Sequence, residues 1–289
     1  MPNNLKKLTY NFEMPALGMG TWKIGGRDKR NYNNDDQKDI NALRAAIDSG
    51  INHIDTAESY ADGYAETLVG QAIKKYSREK VFITSKVAQS SLKYKDVLNA
   101  CKNSLKRLGI NYLDLYLIHW PNSLIPLEET LKAMDELKKQ GLIRNIGLSN
   151  FNKKQFLEAQ SYTKNKIVAL QLHYSLVCRE PEKRGLLEFC QKNDVMLIAW
   201  QPLQYGFLAS IRNPLQESIC LKYKKTPSQI ALNWLISQKN VVAISKTNNI
   251  DHIRENTGAL GWNMDEEDIE HLRRSFPNQE SVSSLRALA

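Results

Sequence analysis

The 289-residue chain is predicted to fold as one closed (β/α)8 barrel, residues 1–289, with a β-hairpin at its N-terminus. Three observations predict this. Short apolar runs rich in Val, Ile and Leu alternate with segments of helical periodicity from end to end, and there are eight such runs. Most of them start about 30 residues apart, the span of one βα unit. The runs are apolar on both sides of the pleat, the pattern of a parallel sheet covered by helices. Eight units in one chain favour closure over an open sheet, and the length suits such a barrel. An open dinucleotide-binding sheet would carry GxGxxG after its first strand. Here the first run is followed by Thr21-Trp22-Lys23-Ile24-Gly25-Gly26.

Taken in order, KLTYNFEMPAL places turn residues between two short extended pieces, which predicts a hairpin capping the barrel floor. Barrel strands are expected at 16–20, 51–57, 81–87, 113–119, 144–149, 167–172, 195–200 and 241–245. Between them, 36–49 sets Ile40, Leu43 and Ile47 on one helical face and stops at Gly50. The segment 95–108 does the same with Leu98, Cys101, Leu105 and Leu108 before Gly109, and 128–140 with Leu131, Met134 and Leu137 before Gly141. Thr226-Pro-Ser-Gln229 reads as a helix start with a capping box and Pro at the first helical position.

Composition narrows the function classes. Hydrophobic residues make up 42% and charged residues 25%, a balance that allows a large core. No stretch reaches the apolar length needed to cross a bilayer. MPNNLKKLTYNF lacks the apolar middle of a secretory signal, so a cytoplasmic protein is expected. Cys101, Cys178, Cys190 and Cys220 form no CxxC pair and no zinc spacing, so no metal is expected. Basic residues exceed acidic ones by 40 − 31 = 9. They are spread over helical faces, and the clusters, such as KYKK at 222–225, are short. Neither nucleic acid nor membrane is the expected partner, but the excess suits an anionic cofactor.

In such a barrel, chemistry collects where strands end in loops. The successive ends offer Gly20-Thr21-Trp22, Asp55 with Tyr60, Lys86, His119-Trp120, Ser149-Asn150, Gln171, Trp200-Gln201 and Lys246-Thr247. Singly, each has a structural reading: a cap, a solvated lysine, a satisfied core histidine. Jointly those readings weaken, because Asp and Lys at the top of a packed barrel are costly to bury unless paired. Tyrosine near pKa 10 is a poor acid at neutral pH. An adjacent ammonium favours the phenolate, a carboxylate holds that ammonium charged, and a neutral imidazole can orient a carbonyl oxygen. Tyr60 is then the acid, Lys86 its tuner, Asp55 the anchor of Lys86, and His119 the substrate orienter.

GINHIDTAESYADGYAETLVG, FITSKV, LDLYLIHWP, IGLSNF, AWQPL and ISKTNNIDHIREN occur in order, and with these blocks the chain resembles the aldo-keto reductases over nearly its whole length. The resemblance implies a (β/α)8 barrel, NAD(P)H-dependent carbonyl reduction, and Asp55, Tyr60, Lys86 and His119 as a complete catalytic tetrad. It implies Ser149, Asn150 and Gln171 at the nicotinamide carboxamide, with Trp200 stacking on the ring and Gln201 beside it. Leu203 and Gly206 then fall at the pyrophosphate, Lys246 and Thr247 at the 2′-phosphate, and Glu255 and Asn256 at the adenine. Gly20, Thr21, Trp22 and Asp55 complete the cofactor set, and Trp22, Tyr60, His119 and Trp120 line the substrate pocket.

Two positions depart from the family pattern. His252 stands where an arginine often grips the 2′-phosphate, and it cannot make the bidentate fork of Arg. NADPH is therefore expected to be favoured, with NADH as a weaker alternative. Leu170 replaces an Asn, which removes one polar contact. The short connection PNSLIPLEET and the short polar tail after Pro277 imply an open pocket for small aldehydes, ketones or sugar-like carbonyls. A monomer or small homo-oligomer is expected. The alternative, a non-enzymatic NADPH-binding regulatory subunit, would share the fold, and the intact tetrad argues against it.

Overall fold

The computed structural model describes residues 4–210 and 214–276. Strands β1 (Leu5–Lys7) and β2 (Glu13–Pro15) pair antiparallel as the expected hairpin. Eight parallel strands follow: β3 (Leu17–Gly20), β4 (His53–Asp55), β5 (Phe82–Val87), β6 (Leu115–Ile118), β7 (Ile146–Ser149), β8 (Ile167–His173), β9 (Met196–Trp200) and β10 (Val241–Ser245). They close in sequence order, with β10 paired back to β3.

Local signals set the outer helices. The helix Tyr94–Leu108 buries Val97, Cys101, Leu105 and Leu108, and ends on Gly109 at φ 66, whose N–H reaches back to the carbonyls of Leu105 and Lys106. A left-handed residue is needed there, and glycine takes that conformation without a Cβ clash. At Pro227–Ile236 the expected capping box forms: Gln229 N donates to Thr226 Oγ1, and Thr226 N donates to Gln229 Oε1. Several strands are shorter than the apolar runs, although β8 is one residue longer and β10 matches its run. β4 keeps three residues of 51–57, and β6 four of 113–119. His119 consequently lies just past the end of β6, at the rim rather than inside the ladder. The tail after Pro277 lies outside the described residues.

Two apolar layers hold the barrel. Between strands and helices lie Leu43, Leu68, Leu105, Leu131 and Trp234. Inside it, Leu115, Leu117, Val168, Met196, Ile198 and Val242 pack with Leu8, Phe12 and Met14 of the hairpin segment, which plugs the floor. Solvent-accessible chemistry is thereby confined to the opposite end.

An imidazole is sealed in that interior. His53 on β4 is fully buried, its Nε2 3.0 Å from Thr84 Oγ1 and its Nδ1 without a partner among the described residues. A Cβ at Gly18 would come within 2.4 Å of that Nδ1, so β3 can pass the imidazole only as glycine. Burial pushes the His53 pKa down to about 4, with Asp55 opposing the shift and Lys86 adding to it. Unfolded histidine titrates near 6.5 and binds its proton first. His53 therefore contributes stability that is complete above about pH 6.5 and is lost as pH falls toward 4, amounting to about 3 kcal/mol. Urea midpoints between pH 7 and 4 should fall less steeply in His53→Gln than in the parent, and identical slopes would contradict this origin of acid sensitivity.

Candidate active site

Three neighbouring strand ends, those of β4, β5 and β6, bring the tetrad together. Register pairs Asp55 with Thr84, so Lys86 stands two residues further along β5 on the same face. Its Nζ donates to Asp55 Oδ1 at 2.5 Å and to the Thr56 carbonyl at 2.8 Å, and lies 3.4 Å from the Tyr60 hydroxyl. Both charged side chains are buried, Lys86 at 0% and Asp55 at 1% exposure. From across the barrel, Gln171 Nε2 on β8 donates to the second carboxylate oxygen at 2.7 Å. The His119 ring meets Tyr60 edge to face at 5.7 Å, with its Nδ1 3.3 Å from Ser59 Oγ. Trp120 stacks on His119 at 6.3 Å.

Packing outside the barrel fixes this geometry. Ser85, on the opposite face of β5 from Lys86, donates to Glu66 Oε1 at 2.5 Å, and Arg107 Nε binds Glu66 Oε2 at 2.6 Å. Glu66 is itself buried, so it ties β5 to two outer helices. Tyr60 opens a tight turn in which Ala61 and Asp62 take φ of 52 and 54. Non-glycine residues hold such conformations only when their surroundings impose them. Here Ala61 N and Asp62 N donate to the Arg27 and Asp28 carbonyls at 2.9 and 3.1 Å.

Desolvation works against the Lys86 charge, but attraction to Asp55 and Tyr60 outweighs it and leaves the ammonium pKa above the ordinary lysine value. From sequence, that ammonium is expected to draw the Tyr60 pKa below 10. The structure reverses the sign. Although the Tyr60 ring is half-exposed, its hydroxyl lies among buried groups. Desolvation raises its pKa, the Lys86 charge opposes the rise, and the Asp55 charge adds to it.

The residues expected at a cofactor spread along the other strand ends. Asn150, at φ 62, donates from Nδ2 to the His119 carbonyl at 3.1 Å and to Ser149 Oγ at 2.9 Å, bracing the loop after β7 against that after β6. Thr21 Oγ1 and Gln201 Nε2 are buried and have no partner among the described residues. Trp200 is half-buried at the end of β9. Gly206, at φ 88, lies in the exposed part of the turn Gln204–Ala209 that follows Leu203. Lys246 is exposed just past β10, yet the rim still desolvates its ammonium and lowers its pKa; Asp39 opposes this, and Lys23 and Lys38 add to it. An anion placed there would relieve that crowding of cations.

Thr247 follows at the same strand end, while His252 and Glu255 lie further off on the helix Ile250–Thr257, His252 exposed and Glu255 half-buried. Asn256 is buried against Ser245 Oγ at 3.3 Å. Together these groups suit an elongated anionic ligand with a flat ring at the Trp200 end. Leu170 belongs to the outer apolar layer, away from the rim. Trp22 is half-exposed at the mouth, with the Lys23 ammonium 4.6 Å and the Arg27 guanidinium 5.6 Å from its ring. Sequence reasoning missed Ser59, the Thr56 carbonyl, Gln204 and His173. Strand alternation could have found His173, two residues beyond Gln171 and therefore on the same face.

The Aldo/keto reductase family profile matches residues 16–275. The methylglyoxal reductase YeaE of Escherichia coli is 35% identical over 289 residues, covering 99% of each chain. Among solved structures, the thermostable aldo-keto reductase Tm1743 in complex with the inhibitor epalrestat superposes with a TM-score of 0.89 at 46% identity, over 93% of this chain and 98% of that one. An aldo-keto reductase from Klebsiella pneumoniae in complex with NADPH gives 0.83 at 34% identity, over 98% of both.

The buried ion pair should be visible in stability. Lys86→Met leaves the Asp55 carboxylate buried without its cation and should cost about 3–5 kcal/mol of unfolding free energy in urea. Asp55→Asn/Lys86→Met should regain much of that loss, and a double variant as unstable as the single one would refute the pairing.

Proposed function

The chain belongs to the aldo-keto reductase family, and from that premise we propose that it is an NADPH-dependent reductase of small aldehydes, 2-oxoaldehydes among them. One observation carries the assignment of chemistry: a buried ammonium held by Asp55 lies 3.4 Å from the Tyr60 hydroxyl, beside the His119 ring. When bound, reduced nicotinamide supplies the hydride to the carbonyl carbon and leaves oxidised. This chain's residues handle the oxygen and its proton. His119 orients the carbonyl oxygen. As negative charge grows there, the Tyr60 O–H bond breaks and its proton completes the alcohol. Lys86 stabilises the phenolate that remains, Asp55 keeps Lys86 charged and in place, and solvent returns a proton to Tyr60.

The raised pKa of Tyr60 suits this sequence of events, since the acid stays protonated at every physiological pH. Charge complementarity supports the choice of cofactor. Lys246, crowded by Lys23 and Lys38, suits a phosphate monoester, and His252 lacks the fork that would make the preference exclusive. Trp22 and Trp120 bound the mouth, and the short connection after His119-Trp120 leaves it open to small substrates. The 2-oxoaldehyde class is suggested by the E. coli relative, named for methylglyoxal.

Three outcomes are expected. Tyr60→Phe should lose at least ~10²-fold in kcat while NADPH binding persists; wild-type turnover in that variant would overturn the role. For reduction, kcat/KM should stay flat across neutral pH and decline only above the ordinary tyrosine value near 10, because the protonated phenol is the active form. On one aldehyde, kcat/KM should favour NADPH over NADH, and Lys246→Ala should narrow the gap; a preference for NADH would reverse the cofactor assignment.

A further inference from the structure

His173 has no part in the proton chemistry, yet its contacts join two regions of the proposed cofactor site. It lies on β8 two residues past Gln171, and register sets it beside Trp200 of β9. The two rings stack at 4.4 Å with planes 15° apart. The imidazole is 4% exposed, whereas the indole is half-exposed. His173 thus covers one face of Trp200 from behind.

Its Nε2 lies 2.9 Å from Gln204 Oε1. With that oxygen accepting, Nε2 carries the proton. Gln204 opens three consecutive left-handed residues, with φ of 49, 55 and 88 at Gln204, Tyr205 and Gly206. Two of the three are not glycine, so this backbone persists only where it is held. Tyr205, 62% exposed, reaches Trp22 at 6.4 Å, and the Lys23 ammonium sits 4.6 Å from one ring and 5.7 Å from the other. Trp200, His173, Gln204, Tyr205, Lys23 and Trp22 therefore form a continuous arch from the end of β9 to the end of β3. β10 lies between those strands, and the first residue past it is Lys246. A ligand stacked on Trp200 and reaching Lys246 must pass this arch.

We propose that His173 is a positioning residue that seats the Trp200 indole against the nicotinamide ring and anchors the arch through Gln204, so that cofactor escape is coupled to the aromatic wall. This rests on the cofactor reading given above. The roles separate by substitution. His173→Phe keeps a stacking ring and loses the hydrogen bond, Gln204→Ala loses only the bond, and His173→Ala loses both.

Binding without turnover tests it, in the full-length protein with NADPH as probe. Energy transfer from tryptophan to NADPH gives the Kd, and stopped-flow displacement gives the release rate. His173→Phe and Gln204→Ala should each speed release by about 3–10-fold, the scale of one neutral hydrogen bond, and their combination should be no faster than either. His173→Ala should in addition weaken binding by about 10-fold, the scale of a lost aromatic stack, and reduce the energy transfer. Wild-type release in both His173→Phe and Gln204→Ala, or additive effects in the double variant, would overturn the proposal. Should His173→Ala unfold, the volume-retaining His173→Phe and the half-exposed, loop-borne Gln204→Ala still decide it. A parent protein that binds no NADPH would instead remove the cofactor reading, and this inference with it.

Discussion

The contact between Lys86 and Asp55 is the constraint on which the rest of the site depends. Two charges at 0% and 1% exposure would each cost several kcal/mol to bury alone. They are tolerated because the surroundings answer nearly every hydrogen-bonding direction: the Thr56 carbonyl and Tyr60 hydroxyl around the ammonium, and the Gln171 amide on the carboxylate. Two of those partners follow β4 directly, and the third comes from β8, over a hundred residues away. The pair can therefore exist only when β4, β5 and β8 are in register, and it is the feature from which the proposed proton chemistry follows.

Burial then acts on the neighbouring groups with opposite consequences. It raises the Tyr60 pKa and drives that of His53 down to about 4, and in both cases the neutral form is favoured. Lys86 keeps its charge, because Asp55 and Tyr60 outweigh the same desolvation. The rim thus holds a neutral acid beside a permanent cation. Such a pairing resists ionisation at rest but stabilises the phenolate as soon as a proton has somewhere to go, which is the condition general acid catalysis requires.

The barrel was legible because its signal is repetitive: eight apolar runs at regular spacing leave few alternatives. That Asp55, Tyr60, Lys86 and His119 would meet at one rim was legible for a related reason, since polar residues that end buried strands are costly unless paired. Strand ends were less clear. The apolar runs 51–57 and 113–119 overshoot their ladders at both ends, and Ile51, Thr56, Ala57 and Leu113 stay buried outside them, so burial alone does not mark where pairing stops. The sign of the Tyr60 shift was misjudged for a physical reason: a nearby ammonium can be read from spacing, whereas the depth of a hydroxyl is set by residues from the whole barrel. His173 was hidden differently. Its alternation with Gln171 is plain in LQLH, but its value lies in the face it shares with Trp200, a partner 27 residues further along the chain.

These differences divide the rim into two halves with different tolerances. The proton site stands on strand ends braced from outside by the Ser85–Glu66–Arg107 contacts, and a change there disturbs a buried charge. The half proposed to hold the ligand is carried on loops after β9, β10 and β3, where left-handed residues, exposed cations and half-exposed aromatics occur together. Substitution is cheaper in that half, because solvent can satisfy whatever is removed. On the proposed assignment, an exposed His252 in place of Arg, or an indole at position 200, alters how tightly and how long a cofactor is held without touching the atoms proposed to move the proton. In that reading, reaction type is set by the half of the rim built on buried strand ends, and ligand preference by the half built on loops.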